Sequence, residues 1–598
     1  MPIARISHLI VLLTLGAFVS TATPLALAAP PGLPPNRVQT GIQSSQGLKD
    51  DLKYLVVTLG ENPKAWEDIE LAVDAFLPGV DLTKPVGLDL VFDPTTGKRK
   101  VLHVPIENSR DFFNNNLNPI GILSRRRSAG FYHLDGIAAL GWEGWMRTPT
   151  GSPYGTISEV ADDIPTSLPV QDARLLALFA PGYDSVAKIE GTAGDMTDRQ
   201  NGVRKLRDNL LAGIKRRPDE SVEEFDLRRL AGRQQMDRLE RVFVNAELMM
   251  AGWTTDTTRQ LGHGDVAFTA LAGTDLQKTL LTAGTTPSYF GAIPEAKSVV
   301  FLSRLNVPID EFTRGQFEEF YGSLRPVLKK RLAESEKGTA AQKEARQRIA
   351  DQTLDMLLGT LKLGVADLFV QTVPTTNGKN VIVAGVRSHD GQQVLSILRE
   401  IPNAVTGWKL EEAVETVGTV NIHRLDISAD IPDAIESFYG KSGEVFVGTS
   451  PEAVWFAGGE GALASLKATI QQVADGSPVA DGMVARTKLR LGPVSRHIRD
   501  LSVEEGFSLS EFLGKVREGR QPREQTEPGR EKRSGGALSG IDWDSELREA
   551  LKNVNDDLVE STIWVQGGKL TGKTEVEKGV LIGIGRIIGN IAGDLLGG

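Results

Sequence analysis

Cysteine is absent from all 598 residues, and its absence closes several routes at once. No disulfide can staple the chain, no thiolate can act as a nucleophile, and cysteine zinc sites and iron–sulfur clusters are excluded. A lipid anchor on an N-terminal cysteine is excluded with them, so stability has to come from buried apolar area. A basic excess is missing too: 67 Lys and Arg stand against 77 Asp and Glu, a formal net charge of -10. Phosphate binding needs a concentrated positive surface, so this balance argues against nucleic acid as a partner. Only local basic clusters occur, such as Arg125-Arg126-Arg127.

Catalytic and metal signatures are equally scarce. There is no Gly-x-Ser-x-Gly elbow, and no Ser-x-x-Lys with its partner motifs. The 7 histidines never fall at the i, i+4 spacing that sets two ligands on one helical face. Adjacent acids such as Asp162-Asp163 and Asp556-Asp557 point apart in a helix or a strand. The residues imply no metal and no cofactor. A bilayer-spanning run is also missing, since the apolar stretch at residues 9–19 falls well short of the ~20 residues a crossing needs.

That short stretch, preceded by Arg5 and followed by Ala26-Leu27-Ala28, reads instead as an export signal over residues 1–28. Cleavage after Ala28 would deliver a mature chain to the periplasm or the exterior of a bacterial cell, with residues 29–47, rich in Pro, Gly and Gln, disordered. The rest is too long for one core, because single cores stop growing near ~250–300 residues.

The chain reads as if written twice. Pro94-Thr95-Thr96-Gly97-Lys98 and Pro374-Thr375-Thr376-Asn377-Gly378-Lys379 each stand between apolar runs, as hairpin tips. Around the first, residues 54–59 read as a strand, 63–76 as a helix, 86–92 and 100–106 as the hairpin, and 109–117 as a helix capped by Asn108 or Ser109. Around the second the same order runs through 298–305, a longer helical span 309–361 divided near 334–342, the hairpin 366–373 and 380–386, and a helix at 390–400. A second block follows in each half, at 130–134 and 419–425. A third follows at 174–179, read as a strand, with a charged helix within 203–239 and a hairpin at 242–271, matched by 483–491, a helix at 493–501 and the hairpin 561–576 turning on Gly567-Gly568. Residues 516–540, rich in Arg, Glu, Gly and Pro, read as a solvated excursion. The fold class that follows is α+β in two duplicated halves, 48–292 and 293–598, each of antiparallel hairpins with helices on one face.

Few residues invite chemistry. The two Thr-rich tips echo the end of a phosphate-binding loop, but Asp93-Pro94 and Val373-Pro374 stand where its first Gly belongs and a strand follows, so they read as polar turns. His133 with Asp135, two apart on a strand, share a face and form the one candidate base and carboxylate pair. His423, read as its counterpart, lies three residues from Asp426 and cannot pair with it without a bulge. His263 in Gly262-His263-Gly264-Asp265 reads as a hairpin loop. Gly585, Gly589, Gly593 and Gly597 recur every fourth residue, a smooth helical face for close backbone approach, and docking on the second half's sheet is the expectation for it.

Three functional readings result. The first is an exported, non-enzymatic protein that binds or scaffolds an unknown protein or envelope component at the cell envelope. The second is a secreted hydrolase with its site in the cleft between the halves, His133 and Asp135 as base and Arg125 to Arg127 holding an anionic substrate. The third is peripheral membrane attachment through residues 579–598.

Overall fold

The computed structural model describes residues 37–596 apart from 76, 96, 98, 121, 136–143, 149–152, 165–168, 219, 335–337, 429–432, 494–550 and 552–554. The expected signal and the expected excursion at 516–540 lie outside the described residues. The fold is α+β, and among the described residues its strands join in one 20-stranded sheet. The first ten are β1 (Arg37–Ile42), β2 (Val86–Val91), β3 (Arg99–Pro105), β4 (Leu123–Ser128), β5 (Phe131–Asp135), β6 (Gly144–Arg147), β7 (Tyr154–Ser158), β8 (Ser185–Glu190), β9 (Ala246–Asp256) and β10 (Leu261–Ala270). The second ten are β11 (Phe301–Pro308), β12 (Val365–Pro374), β13 (Asn380–Arg387), β14 (Lys409–Val417), β15 (Val420–Asp426), β16 (Glu444–Thr449), β17 (Ala453–Gly459), β18 (Met483–Arg490), β19 (Leu558–Gln566) and β20 (Lys569–Val576).

Every pairing is antiparallel. From one edge, the order is β4, β5, β6, β7, β3, β2, β1, β8, β9, β10. It continues β20, β19, β18, β11, β12, β13, β17, β16, β15, β14. Counted outward from the β10–β20 seam, the chain visits the positions on either side in one and the same order. Pro94 falls in the β2–β3 turn and Pro374 ends β12 before the β12–β13 turn, with Gly97 and Gly378 at φ 90° and 73°. Both tips therefore join neighbouring strands. At the β19–β20 turn Gly567 and Gly568 take φ 59° and 77°, the left-handed pair that matches strand twist in a two-residue hairpin.

Several elements differ from the sequence reading. Residues 37–47, expected to be disordered, hold β1 and the start of helix Ser45–Lys53: β1 is inserted between β2 and β8, and both rows of its backbone groups are satisfied there. Residues 54–59 are not a strand: Tyr54–Leu59 is a π-helix running straight on from the helix Ser45–Lys53, with Val56 and Leu59 buried three residues apart. Residues 174–179 are not a strand either. Helix Pro169–Leu178 buries Arg174, Leu175 and Leu178, and Leu175 fills the space left by the missing side chain of Gly87. Strands β1, β4, β8 and β14 have no counterpart in that reading.

Helices lie on both faces of each half-sheet rather than on one. In the first half Leu134, Met146 and Ile157 pack on Phe112 and Leu117, whereas Tyr154 packs on Leu175 and Leu178 from the opposite face. In the second, Phe446, Trp455 and Ala457 pack on Leu466 and Ile470 of helix Ala462–Asp475, and Val447 packs from the other side on Val394 and Leu398 of helix Val394–Ala404.

The span read as one charged helix within 203–239 holds two, Met196–Ala212 and Val222–Asn245, and the second joins the halves to each other. Helix Val222–Asn245 lies along helix Glu311–Glu334, where Gln234 donates to the Gln316 carbonyl at 2.8 Å, Arg238 to the Gln316 side chain at 2.7 Å, and Arg331 pairs with Glu224 at 2.6 Å. The C-terminal helix Lys578–Leu596 also crosses over. It packs Leu581 against Leu59 and Ile588 against Val56, Trp66 and Ile69, so its glycine face docks on the π-helix of the first half and not on the second half's sheet. A Cβ on Gly585 would run into the Leu55 carbonyl oxygen, and one on Gly60 would come within 3.0 Å of Gly585. Gly585→Ala should therefore cost about 1–3 kcal/mol by overpacking, although alanine in an uncovered helix would stabilise by about 1 kcal/mol. An unchanged or raised denaturation midpoint would rule out this docking.

Candidate functional site

Strand alternation sends one set of side chains from β1, β2, β3, β7, β6, β5 and β4 to a common face. Direct cross-strand partners fix its membership: Gln39 faces Asp89, His103 faces Thr156, Trp145 faces Ser158, His133 faces Trp145, and Arg125 faces His133. The face is polar along most of its width, and helix Pro169–Leu178 covers its inner part with Arg174 directed at Asp89.

At the outer end lies the pair read from the sequence. His133 Nδ1 stands 3.4 Å from Asp135, whose other oxygen takes Arg125 Nε at 2.5 Å. Their side chains are 13% and 23% exposed, against 68% for Arg125. The His133 ring lies 4.6 Å from Trp145, Trp145 stacks on Phe131 at 5.4 Å, and the Arg147 guanidinium covers the far face of the arrangement at 5.0 Å from Phe131. The histidine thus ends a ladder of stacked planar groups, an arrangement that stabilises cross-strand pairs by ~0.2–1 kcal/mol each. Of the three arginines, Arg125 joins this face, while Arg126 alternates away and donates to the Ser128 carbonyl at 3.3 Å. His133 sits on the second strand from the sheet's outer edge, at the other end of the strand order from the β10–β20 seam, and is not among the residues lining the groove between the halves. The groove that does lie between the halves, about 610 Å³ and bounded by Glu220, Glu224, Lys330 and Arg331, is crowded with ion pairs.

The counterpart reading of His423 is corrected by register. Asp135 faces Leu123 and Asp426 faces Lys409, while His133 faces Arg125 and Arg424 faces Glu411. The motifs therefore align on Leu134-Asp135 and Leu425-Asp426, which sets Tyr132 against His423 and His133 against Arg424. His423 is 2% exposed, accepts the Ala413 N–H at 3.1 Å on Nδ1 and lies 3.0 Å from the Thr449 hydroxyl through Nε2. Burial lowers its pKa, and it is a structural histidine. His263 is on strand β10 rather than in a loop, 3.7 Å from Glu575, because Gly262 leaves room for the Trp253 ring to lie across the strand.

The inner part of the face holds a cluster that the sequence reading missed. Arg37, Gln39, Asp89, His103, Thr156 and Arg174 are all buried. His103 Nε2 lies 3.2 Å from Asp89 and Nδ1 lies 3.3 Å from the Thr156 hydroxyl, while Arg174 donates to Asp89 at 2.7 Å. Burial pushes the Asp89 carboxyl up, but the hydrogen bond from His103 and the charge of Arg174 more than offset it and hold it well below the carboxylate range. Burial likewise outweighs Asp89 at His103 and lowers its pKa, and it lowers Arg37 to about 10. Hydroxyl, imidazole and carboxylate stand in line, the order of a nucleophilic triad. Thr156 is 0% exposed, however, and no substrate reaches its oxygen. The sequence signal was present: a single Asp inside Gly87-Leu88-Asp89-Leu90-Val91 and a single His inside Val101-Leu102-His103-Val104.

The matching strands of the second half carry Leu302, Phe369, Trp455 and Ala457 on the corresponding face, sealed by Phe290 and helix Ala462–Asp475. That face is mainly apolar there, with the buried Asp367 accepting from the Ser288 hydroxyl and the Tyr289 N–H, and ionic here. Among the described residues, no group of three or more His, Asp and Glu could hold a metal ion, and no helix is long and apolar enough to cross a membrane. No family model, no curated protein and no solved structure matches the chain.

The lowered pKa of His103 sets a pH dependence. The folded state keeps this imidazole neutral while the unfolded chain takes a proton near pH 6.5, so its contribution is intact above that pH and is lost as the medium is acidified through it. Between pH 7 and pH 5 the wild type should lose more unfolding free energy than His103→Gln. Equal losses in urea titrations of the two proteins would show that this histidine is not held neutral.

Proposed function

We propose that this is an exported, non-enzymatic protein that binds or scaffolds a partner at the bacterial cell envelope, built by tandem duplication of a ten-strand unit. The duplication is supported by the common order in which β1 to β10 and β11 to β20 fill their positions, and by the paired Leu134-Asp135 and Leu425-Asp426. On this reading the units begin at β1 and β11, not at residues 48 and 293. The binding role rests on one observation above all: the groups that could do chemistry are engaged in packing. His133 ends an aromatic ladder and the Thr156–His103–Asp89 line is sealed, whereas the edge strand β4 pairs on one side only among the described residues. Export rests on the signal-like residues 1–28, and a cysteine-free chain is indifferent to an oxidising compartment.

The hydrolase alternative keeps one specific observation, the contact of His133 with Asp135 and of Asp135 with Arg125. Attachment to a membrane through 579–598 has less to draw on, since the described part of the glycine face is occupied by Leu55, Gly60 and Asn62. The immobilised mature protein should retain a component from a detergent-treated envelope fraction, equally well as wild type and as His133→Ala, and neither should turn over a hydrolase substrate panel. Turnover by the wild type that His133→Ala loses would establish the enzyme reading instead.

A further inference from the structure

We propose that β4 is a docking strip for an acidic, extended polypeptide segment of a partner protein, which adds to the sheet as a further strand. The proposal rests on the binding role above and names the kind of partner. Among the described residues β4 pairs with β5 alone, so its outer row of backbone N–H and C=O groups faces outward unladdered. Leu123, Arg125, Arg126, Arg127 and Ser128 are all exposed. Arg125 is offset by Asp135, but Arg126 and Arg127 form no ion pair among the described residues. On a protein of net charge -10, an outermost strand with two uncompensated arginines is a local reversal of sign.

The opposite edge shows what a closed edge looks like on the same scaffold. Strand β14 stands in the equivalent place and carries three glutamates, each neutralised from within: Glu411 by Arg424 at 2.5 Å, Glu412 by Arg399 at 2.7 Å and Glu415 by Lys467 at 3.0 Å. A register shift between Glu411 and Glu415, with Ala413 at φ 48°, turns the Ala413 N–H inward to His423. Both bulging and internal neutralisation hinder strand addition. At β4 the irregularity falls only at its end, between Arg126 and Ser128, which leaves 123–126 in regular register with an incoming strand. Opposite-charge cross-strand pairs favour glutamate and aspartate in that strand.

The test uses the mature full-length protein and a fluorescein-labelled, alternating Glu-Val octapeptide, read by anisotropy at low and moderate salt. The peptide should bind, Arg126→Glu/Arg127→Glu should weaken binding at least tenfold with an unchanged melting temperature, and N-methylation of alternate peptide nitrogens should weaken it similarly. No binding to the wild type, equal binding to the double variant, or equal binding of the N-methylated peptide or of a heparin-type polyanion would overturn the proposal. Concentration-dependent self-association that the double variant abolishes would overturn it in favour of a second copy of this chain. Retention of an envelope component by the double variant at wild-type level would remove the strip while leaving the binding role standing.

Discussion

Eight residue pairs between β10 and β20 carry the whole architecture, because they are where ten strands meet ten. Asp265 stands opposite Lys573 near the middle of this ladder, and on either side of it the chain departs along matching routes. A hydrogen-bonded seam of this kind leaves neither half with a bare inner edge. The helices then bind the halves a second time, through Gln234, Arg238 and Glu224 on one span and through the Gly60–Gly585 crossing on another. Much of the polar surface on helix Val222–Asn245, which a charge count alone would assign to solvent, is used for this internal contact.

The two halves fill the matching layer differently. The second half fills most of its inner face with Leu302, Phe369 and Trp455, and buries Asp367 among Ser288, the Tyr289 N–H and the facing Asn306. The first half holds Asp89, His103 and Arg174 in the same layer, where desolvating the charges opposes folding unless hydrogen bonds compensate. The compensation is present in the Thr156–His103–Asp89–Arg174 chain of contacts. An ionic network of this kind fixes orientation, because Arg174 meets Asp89 at 2.7 Å only while helix Pro169–Leu178 keeps its place over the sheet.

Sequence carried the hairpins and most of the long helices, because alternation and turn chemistry are local. Gly567-Gly568, the tip at Gly378 and the capping Asn108 all do what their residue types require. It failed where a segment's neighbours decide its state. Tyr54–Leu59 has the composition of a strand but lies between a helix and the C-terminal helix, and packing wins over propensity. Strands β4 and β14 lack apolar alternation because they are edges, and β1 is polar because its buried face belongs to the ionic cluster. The facing of His133 and Asp135 was legible from a two-residue spacing. The match of His133 with His423 was not, since a shift of one residue in a strand exchanges faces and only the pairing register reveals it.

The crossing of the last helix onto residues 54–60 ties the two ends of the described chain together. Val56, Trp66 and Ile69 acquire their cover from Ile588 only after the long stretch of chain between them has been made. This apolar patch must therefore be kept from wrong partners until the helix that covers it has been made, a division of labour between segments hundreds of residues apart.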